Sequence, residues 1–246
     1  MVRPQSNLPH CMEGYHTAFI QVPELAESTR KAMSELYFAY YEGCDERQFQ
    51  RDLADKTEAL LIHYRHELVG FTLYQLYTIR WQERPVRIIY SGDTIVDHRH
   101  WGQQALAFAW IQRAGQLKRE DPVTPLYWFL IVKGHRTYRY LPTFSRSFHP
   151  HWSEPNATLK ALADHLAKQK FAEAYDAGTG VVSFNQSQGH LKARYAQPNA
   201  REQQLAAVAF FLQRNPGYRQ GDELVCLCEL CADNLKPLAR RIFQGI

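Results

Sequence analysis

Polar and apolar positions follow two rhythms along this chain, and the changes between them outline its elements. Thr17 to Gln21 is a short strand segment. Pro23-Glu24 then opens a helix in which Met33, Leu36, Tyr37 and Tyr40 keep the i, i+3, i+4, i+7 spacing of one buried face, and Gly43 ends it. Glu46 to Lys56 reads as a second, shorter helix. Ala59 to Tyr64 and Leu68 to Ile79 are rich in Leu, Ile, Tyr and Thr, with His66-Glu67 as the turn of a hairpin. Pro85 to Val96 is a long strand, and Gln103 to Lys118 is a helix apolar on several sides. Asp121-Pro122 breaks that helix. Leu126 to Val132 is a continuous apolar run, the pattern of a strand covered on both faces. Thr137 to Phe148 is a basic, aromatic helix or loop interrupted by Pro142.

Beyond Pro150 the pattern becomes helical. Leu159, Leu162, Ala163 and Leu166 make one amphipathic face, and Leu205, Val208, Ala209 and Leu212 make another. A polar, glycine-bearing stretch from Gly178 to Pro198 separates them. Gly221-Asp222 introduces the strand Glu223 to Cys228, followed by a helix from about Asn234 to Phe243. The organisation expected is a core over 1–150, a helical insertion or lobe over 151–220, and a final core strand with a C-terminal helix over 221–246.

The junction between the long strand and the apolar helix carries the clearest candidate chemistry. It reads Asp97-His98-Arg99-His100-Trp101-Gly102-Gln103-Gln104-Ala105. A basic, glycine-bearing turn at a helix N-terminus suits an anion, because the first backbone N–H groups lack internal partners and the macrodipole is positive there. Arg99 adds a guanidinium whose geometry matches phosphate. His98 and His100 flank it, as bases, as phosphate neighbours or as caps.

The run from Arg99 to Ala105 resembles the acyl-CoA signature of GNAT-type acyltransferases, Q/R-x-x-G-x-G/A. Arg99 and Gly102 match; Gln104 stands where the family prefers Gly or Ala, and Ala105 follows at once. The order of elements, over about Thr17 to Pro150 plus a final strand, is the family's. The resemblance implies an α/β fold with a mixed, mostly antiparallel central sheet and helices on both faces, here with an inserted helical lobe before the last strand. It also implies that the strands before and after the cofactor helix splay to admit a pantetheine arm. Acyl-CoA would then be a cosubstrate rather than a resident cofactor. Ile95 and Val96 would offer backbone groups to the pantetheine amides, and Arg99, Trp101, Gly102, Gln103, Gln104 and Ala105 would form the pyrophosphate turn. The activity implied is N-acyl transfer to a small-molecule amine by direct attack on the thioester. An acyl carrier protein is an alternative donor, since it presents the same arm. A catalytically silent ligand-binding protein on the same fold is the alternative function.

Amine acylation needs a deprotonated nucleophile. An alkyl amine has a pKa of about 10, so holding it neutral at pH 7 costs roughly 4 kcal/mol, which a base and desolvation must supply. Asp93 is the carboxylate placed for this. Its other reading is a side chain that caps the Ser91-Gly92 bend, where the glycine suggests a bulge. In the family a tyrosine after the second splayed strand often protonates the departing thiolate, and Tyr138 and Tyr140 are the two candidates here; core packing is the other reading of each. The family's usual Asn a few residues earlier is missing.

Composition narrows the remaining classes. The chain has 246 residues, 45% hydrophobic and 22% charged, which fits a globular protein with a substantial core. No apolar run reaches the roughly 20 residues that span a bilayer. Met1 to Glu13 has no apolar segment of a secretory signal, so a cytoplasmic location is expected. Net charge is +4 with no Lys/Arg block, so nucleic acid is not an expected partner; that reading would need Arg136, Arg139 and Arg146 along one groove with Tyr138 and Tyr140 stacking on bases. Five cysteines are an odd number, against a disulfide framework. Cys226, Cys228 and Cys231 form C-x-C-x-x-C without a second pair to complete four ligands. They read as apolar strand residues, and no metal is expected there or at His149 and His151.

Overall fold

The computed structural model describes residues 14–246; the expectation drawn from Met1 to Glu13 lies outside the described residues. In chain order the elements are β1 (Tyr15–Gln21), α1 (Glu27–Tyr40), β2 (Tyr41–Glu42), α2 (Glu46–Ala54), β3 (Glu58–Tyr64), β4 (Glu67–Trp81) and β5 (Arg84–Val96). Then come α3 (Ala105–Glu120), β6 (Leu126–Val132), α4 (His135–Tyr138), α5 (Tyr140–Phe144) and α6 (Ala157–Phe171). The remainder comprises β7 (Tyr175–Asp176), β8 (Val181–Val182), β9 (His190–Leu191), α7 (Ala193–Ala196), α8 (Ala200–Gln203), α9 (Ala206–Arg214), β10 (Glu223–Glu229) and α10 (Pro237–Gln244).

Eight strands form one mixed sheet in the order β1-β3-β4-β5-β6-β10-β8-β7. Every pairing is antiparallel except β5 with β6, which are joined through α3 and run parallel. A parallel pair needs a crossover, and the helix expected between these strands supplies it. This is the mostly antiparallel α/β sheet, covered on both faces, that the sequence implies.

Strand side chains alternate between two cores, as a period of two requires. On one face Leu126, Trp128, Leu130 and Val132 of β6 and Leu224, Cys226 and Cys228 of β10 pack with α3 and α10. The Trp110 and Trp128 rings meet there with centroids 4.2 Å apart. Gly115 lets α3 approach α10 closely, since a Cβ at that position would lie 1.9 Å from the Phe243 carbonyl oxygen. Arg113 of α3 donates from Nε to the buried Glu58 carboxylate at 3.0 Å, and the Tyr74 hydroxyl donates to the same group. On the opposite face α1 and α2 cover β3 and β4 through Met33, Tyr37, Phe49 and Leu53.

The segment 151–220 is folded into this frame. Leu159, Leu162, Ala163 and Leu166 of α6, the face expected from the sequence, share a core with Ile88, Tyr90, Phe129, Val225 and Leu227 of the sheet. Each of the three α6 leucines, taken from water, is worth about 1.5–3 kcal/mol. Strands β7 and β8 extend the sheet beyond β10. In α9 the buried residues are Ala207, Val208 and Phe211, while Leu205 is an exposed N-cap. The expected face through Ala209 is therefore rotated, because Phe211 is the side chain that reaches the α3-side core.

Candidate functional site

The sheet opens at its centre. β5 and β6 pair from Arg87↔Leu126 to Ser91↔Leu130, and no pairing joins Gly92–Val96 to Ile131–Val132. The Trp128 indole donates to the Ser91 hydroxyl at 2.7 Å across the last rung. Beyond it β5 is bent by a bulge: Leu73 faces Gly92 and Phe71 faces Ile95, so Asp93 and Thr94 together oppose Thr72. Asp93 has φ +51°, a region that Asp tolerates better than most residues, and the Thr72 and Thr94 hydroxyls lie 2.7 Å apart. The bulge expected at Gly92 thus forms one residue later, and it breaks the simple side-chain alternation between Asp93 and Val96.

A cavity of about 640 Å³ fills the opening. Its wall includes Gly92 to Val96, the end of β6, and the turn from His100 to Gln104. Asp97 shapes this turn by accepting from the Arg99 N–H at 2.9 Å, which caps a single 3-10 turn over His98–His100. Gly102 then takes φ +94°, which L side chains rarely adopt, although no heavy atom lies within 4 Å of where a Cβ would stand. Two further residues are spent before the helix, so α3 begins at Ala105 rather than at Gln103. The Ala105 N–H donates to the Gln103 side-chain oxygen at 2.5 Å. Among the described residues the N–H groups of Gly102, Gln104, Leu106 and Ala107 have no partner, which is the helix-terminal supply an anion would use.

Arg99 does not face this cavity. Its guanidinium turns back to Asp97 at 2.8 Å and Glu67 at 3.2 Å. The Arg99 hydrogen bond holds the Asp97 carboxyl down at about 2, and the two carboxylates raise the guanidinium. The cations on the turn side come instead from beyond β6. The Arg136 guanidinium lies 4.0 Å over the Trp101 ring; Arg139 and Lys236 stand on the same cavity wall. Glu202 of α8 meets Arg136 at 3.6 Å and Arg139 at 3.7 Å. Trp101 donates from its indole to the Val96 carbonyl at 2.8 Å, so that carbonyl is already engaged; Ile95 is buried on the same wall.

Of the two tyrosines, Tyr140 lines the cavity and Tyr138 does not. Tyr138 is fully buried, with its hydroxyl donating to the Pro150 carbonyl at 2.7 Å. The Tyr140 hydroxyl has no hydrogen-bond partner among the described residues, and burial pushes its phenol up. With Tyr138 inside the core, Tyr138 and Tyr140 do not form the pair of exposed rings on which bases would stack.

A second charged group lies on the carboxylate side of the cavity. Asp93 meets Lys56 at 3.5 Å, and Lys56 also donates to the Asp52 carbonyl at 2.9 Å. Lys133, just past β6, meets Glu223, the first residue of β10, at 3.4 Å and donates to the Gln188 carbonyl at 3.2 Å. Burial alone would lower the Lys133 ammonium; the Glu223 and Asp93 carboxylates outweigh it, so the net shift is upward. Burial raises the Glu223 carboxyl against the pull of Lys133. Neither Lys133 nor Glu223 was singled out from the sequence. A lone glutamate opening an apolar strand is the one signal that pointed there.

His135 was missed as well. It is buried beside Glu202, with Nε2 3.6 Å from that carboxylate and neither ring nitrogen hydrogen-bonded, and burial lowers it to about 4. Cys226 and Cys228 are buried in β10 and Cys231 is partly exposed. His149 sits in the backbone bridge to Leu227. Among the described residues no group of three or more His, Cys, Asp and Glu is placed to hold a metal ion, and no helix is long and apolar enough to cross a membrane.

No family model and no curated protein matches the chain. Among solved structures, a conserved protein of unknown function from Enterococcus faecalis V583, described as a probable N-acyltransferase, aligns at TM-score 0.40 and 13% identity over 55% of this chain and 33% of its own. A GCN5-related N-acetyltransferase from Kribbella flavida aligns at 0.39 and 12% over 54% and 33%. Escherichia coli ElaA aligns at 0.37 and 16% over 58% and 94%. The chain thus spans a third of the first two, and all three likenesses are partial overlaps.

Proposed function

We propose that this protein is an acyltransferase that moves an acyl group from acyl-CoA to an amine by direct attack on the thioester. The observation that carries the reading is the parting of β5 and β6 around a cavity of about 640 Å³, with unpartnered N–H groups of the α3 turn at its wall. Strand edges that separate leave backbone donors and acceptors without ladder partners. An arm carrying amides along its length, as pantetheine does, satisfies them. The pyrophosphate would rest on the N–H groups of Gly102, Gln104, Leu106 and Ala107, with Arg136, Arg139 and Lys236 supplying the positive charge that Arg99 withholds.

The chemistry follows from the two sides. Asp93 polarises the acceptor amine from the bulge. Tyr140 keeps its proton until a thiolate develops beside it, then donates it; a phenol in a desolvated site suits that task because its burial also raises the thiol it must protonate. Backbone N–H groups along the open edge of β5 stabilise the tetrahedral oxyanion.

Calorimetry with CoA and acetyl-CoA, together with thiol release from acyl-CoA across an amine panel, tests this. Donor binding with amine-dependent thiol release is the expected result. Donor binding without thiol release in any combination would favour a silent binding protein, the reading that the Lys56 pairing of Asp93 supports. Absence of donor binding by the folded chain would remove both.

A further inference from the structure

The carboxylate side of the cavity is assembled from parts of the chain that never approach one another in sequence. Glu223 comes from β10, Lys133 from just past β6, Asp93 from the β5 bulge and Tyr41 from β2 after α1; Lys56, in the turn after α2, stands outside the lining and meets it through Asp93. The register Leu224↔Val132 sets Glu223 across from Lys133 at the end of the β6–β10 ladder. Glu223 is thereby buried on the cavity wall, one carboxylate oxygen facing Lys133 at 3.4 Å and the other without a hydrogen-bond partner among the described residues. The cations here are committed: Lys56 to Asp93 and the Asp52 carbonyl, Lys133 to Glu223 and the Gln188 carbonyl.

Given acyl transfer at this cavity, on which the inference rests, we propose that Glu223 takes the proton of the acceptor's ammonium, with Lys133 as its positioning residue, and that the acceptor is an alkyl primary amine with no carboxylate beside the nitrogen. An ammonium entering this side finds two carboxylates, Asp93 and Glu223, each with one oxygen outside its ion pair; Glu223 is the more deeply buried of the two. An adjacent substrate carboxylate would meet like charge and no uncommitted cation. Burial, which raises the Glu223 carboxyl, brings it nearer the pH at which a base both binds and releases a proton.

The step balances as follows. One ammonium proton passes to Glu223, and the nitrogen lone pair forms the C–N bond to the thioester carbonyl carbon. The tetrahedral intermediate collapses, the C–S bond breaks with its electron pair on sulfur, and Tyr140 protonates the thiolate. The second nitrogen proton restores the phenol, and Glu223 releases its proton to solvent. Amide, free thiol and one proton are the products.

The test uses the full chain, acetyl-CoA as donor, and two acceptors that differ only by the carboxylate beside the nitrogen, n-propylamine and 2-aminobutyrate. Glu223→Gln should lower kcat by about 100-fold or more while acetyl-CoA affinity by calorimetry stays within about threefold, and the acidic limb of the kcat/KM profile should disappear. Asp93→Asn should lower the rate and keep that limb. Propylamine should exceed 2-aminobutyrate in kcat/KM by at least about 30-fold, the scale of one unmatched charge. Should Glu223→Gln fail to fold by circular dichroism, Glu223→Asp supplies the readout: a retained carboxylate drawn back by one methylene should keep the limb at a lower rate. An unaltered rate and limb in Glu223→Gln, or a rate and limb in Glu223→Asp equal to wild type, overturns the base assignment while acyl transfer stands. Equal use of the two acceptors overturns the substrate class. Wild type that binds no donor and releases no thiol removes acyl transfer, and this inference with it.

Discussion

The two charged sides of the cavity are built in opposite ways. The turn side is local: Asp97, Gly102 and the start of α3 lie within nine residues, and what they offer is backbone N–H groups left open by helix geometry. The carboxylate side is nonlocal and offers side chains, Asp93 of β5, Lys133 just past β6 and Glu223 of β10, already ion-paired. Open backbone donors suit an anion that arrives with its own charge. Buried, paired side chains suit a proton, because a small change in pairing moves a carboxyl through neutrality. Under the function proposed above, one side holds the donor and the other reacts.

Substitutions that separate holding from reacting put this contrast at risk, and the largest effect belongs to the reacting side. Tyr140→Phe should cut acyl transfer by about 10²-fold or more with acetyl-CoA affinity nearly unchanged. Tyr138→Phe, which loses only its bond to the Pro150 carbonyl, should cost stability of about 1 kcal/mol and leave turnover per folded molecule intact. Steady-state thiol release alongside chemical denaturation measures both. If Tyr138→Phe alone abolishes turnover, the assignment of the phenols is reversed.

On the holding side, Gly102→Asp should weaken acetyl-CoA binding by roughly 10-fold to 100-fold. It forces a side chain into φ +94° and sets a negative charge beside the open N–H groups. Gly102→Ala isolates the backbone part and should weaken binding less. Isothermal titration compares them, and equal affinity in all three proteins would show that the turn does not hold the donor.

The buried histidines give a smaller, pH-dependent effect. Burial lowers His135 and His149 to about 4 from an ordinary value near 6.5. Each unfolded histidine takes up a proton that its folded counterpart refuses. Their contribution is therefore complete above pH 6.5 and is lost as pH falls toward 4, about 3 kcal/mol each at the limit. Urea midpoints between pH 7 and pH 4.5 should decline accordingly, and His135→Gln should flatten part of the slope. A midpoint independent of pH over that range would rule the effect out. The smallest change is expected at Arg99: with its guanidinium on Asp97 and Glu67, Arg99→Ala should alter donor affinity by less than about threefold. A loss of tenfold or more in titration would return Arg99 to the anion site.

Much of the frame could be read along the chain because its signals are local. The apolar run Leu126 to Val132 is β6 residue for residue, and the hairpin from Ala59 to Ile79 falls inside β3 and β4. The start of α3 shifted by two residues, since the positive φ of Gly102 and the Asp97 cap both depend on backbone geometry. Strands β7 and β8 were not legible at all: two residues carry no periodicity, and only the β10 edge makes them strands.

For the candidate site, sequence by itself determined the glycine-bearing turn, the bulge near Gly92 and a tyrosine-bearing segment after β6, because neighbours in the chain create those features. Tertiary structure alone decided that Tyr140 rather than Tyr138 reaches the cavity, since Tyr138 ends α4 inside the core and Tyr140 opens α5 on the cavity wall. It alone turned Arg99 toward Asp97 and Glu67, and it alone set Glu223 against Lys133, 90 positions away, where the end of a strand ladder brings a carboxylate and an ammonium out of water together.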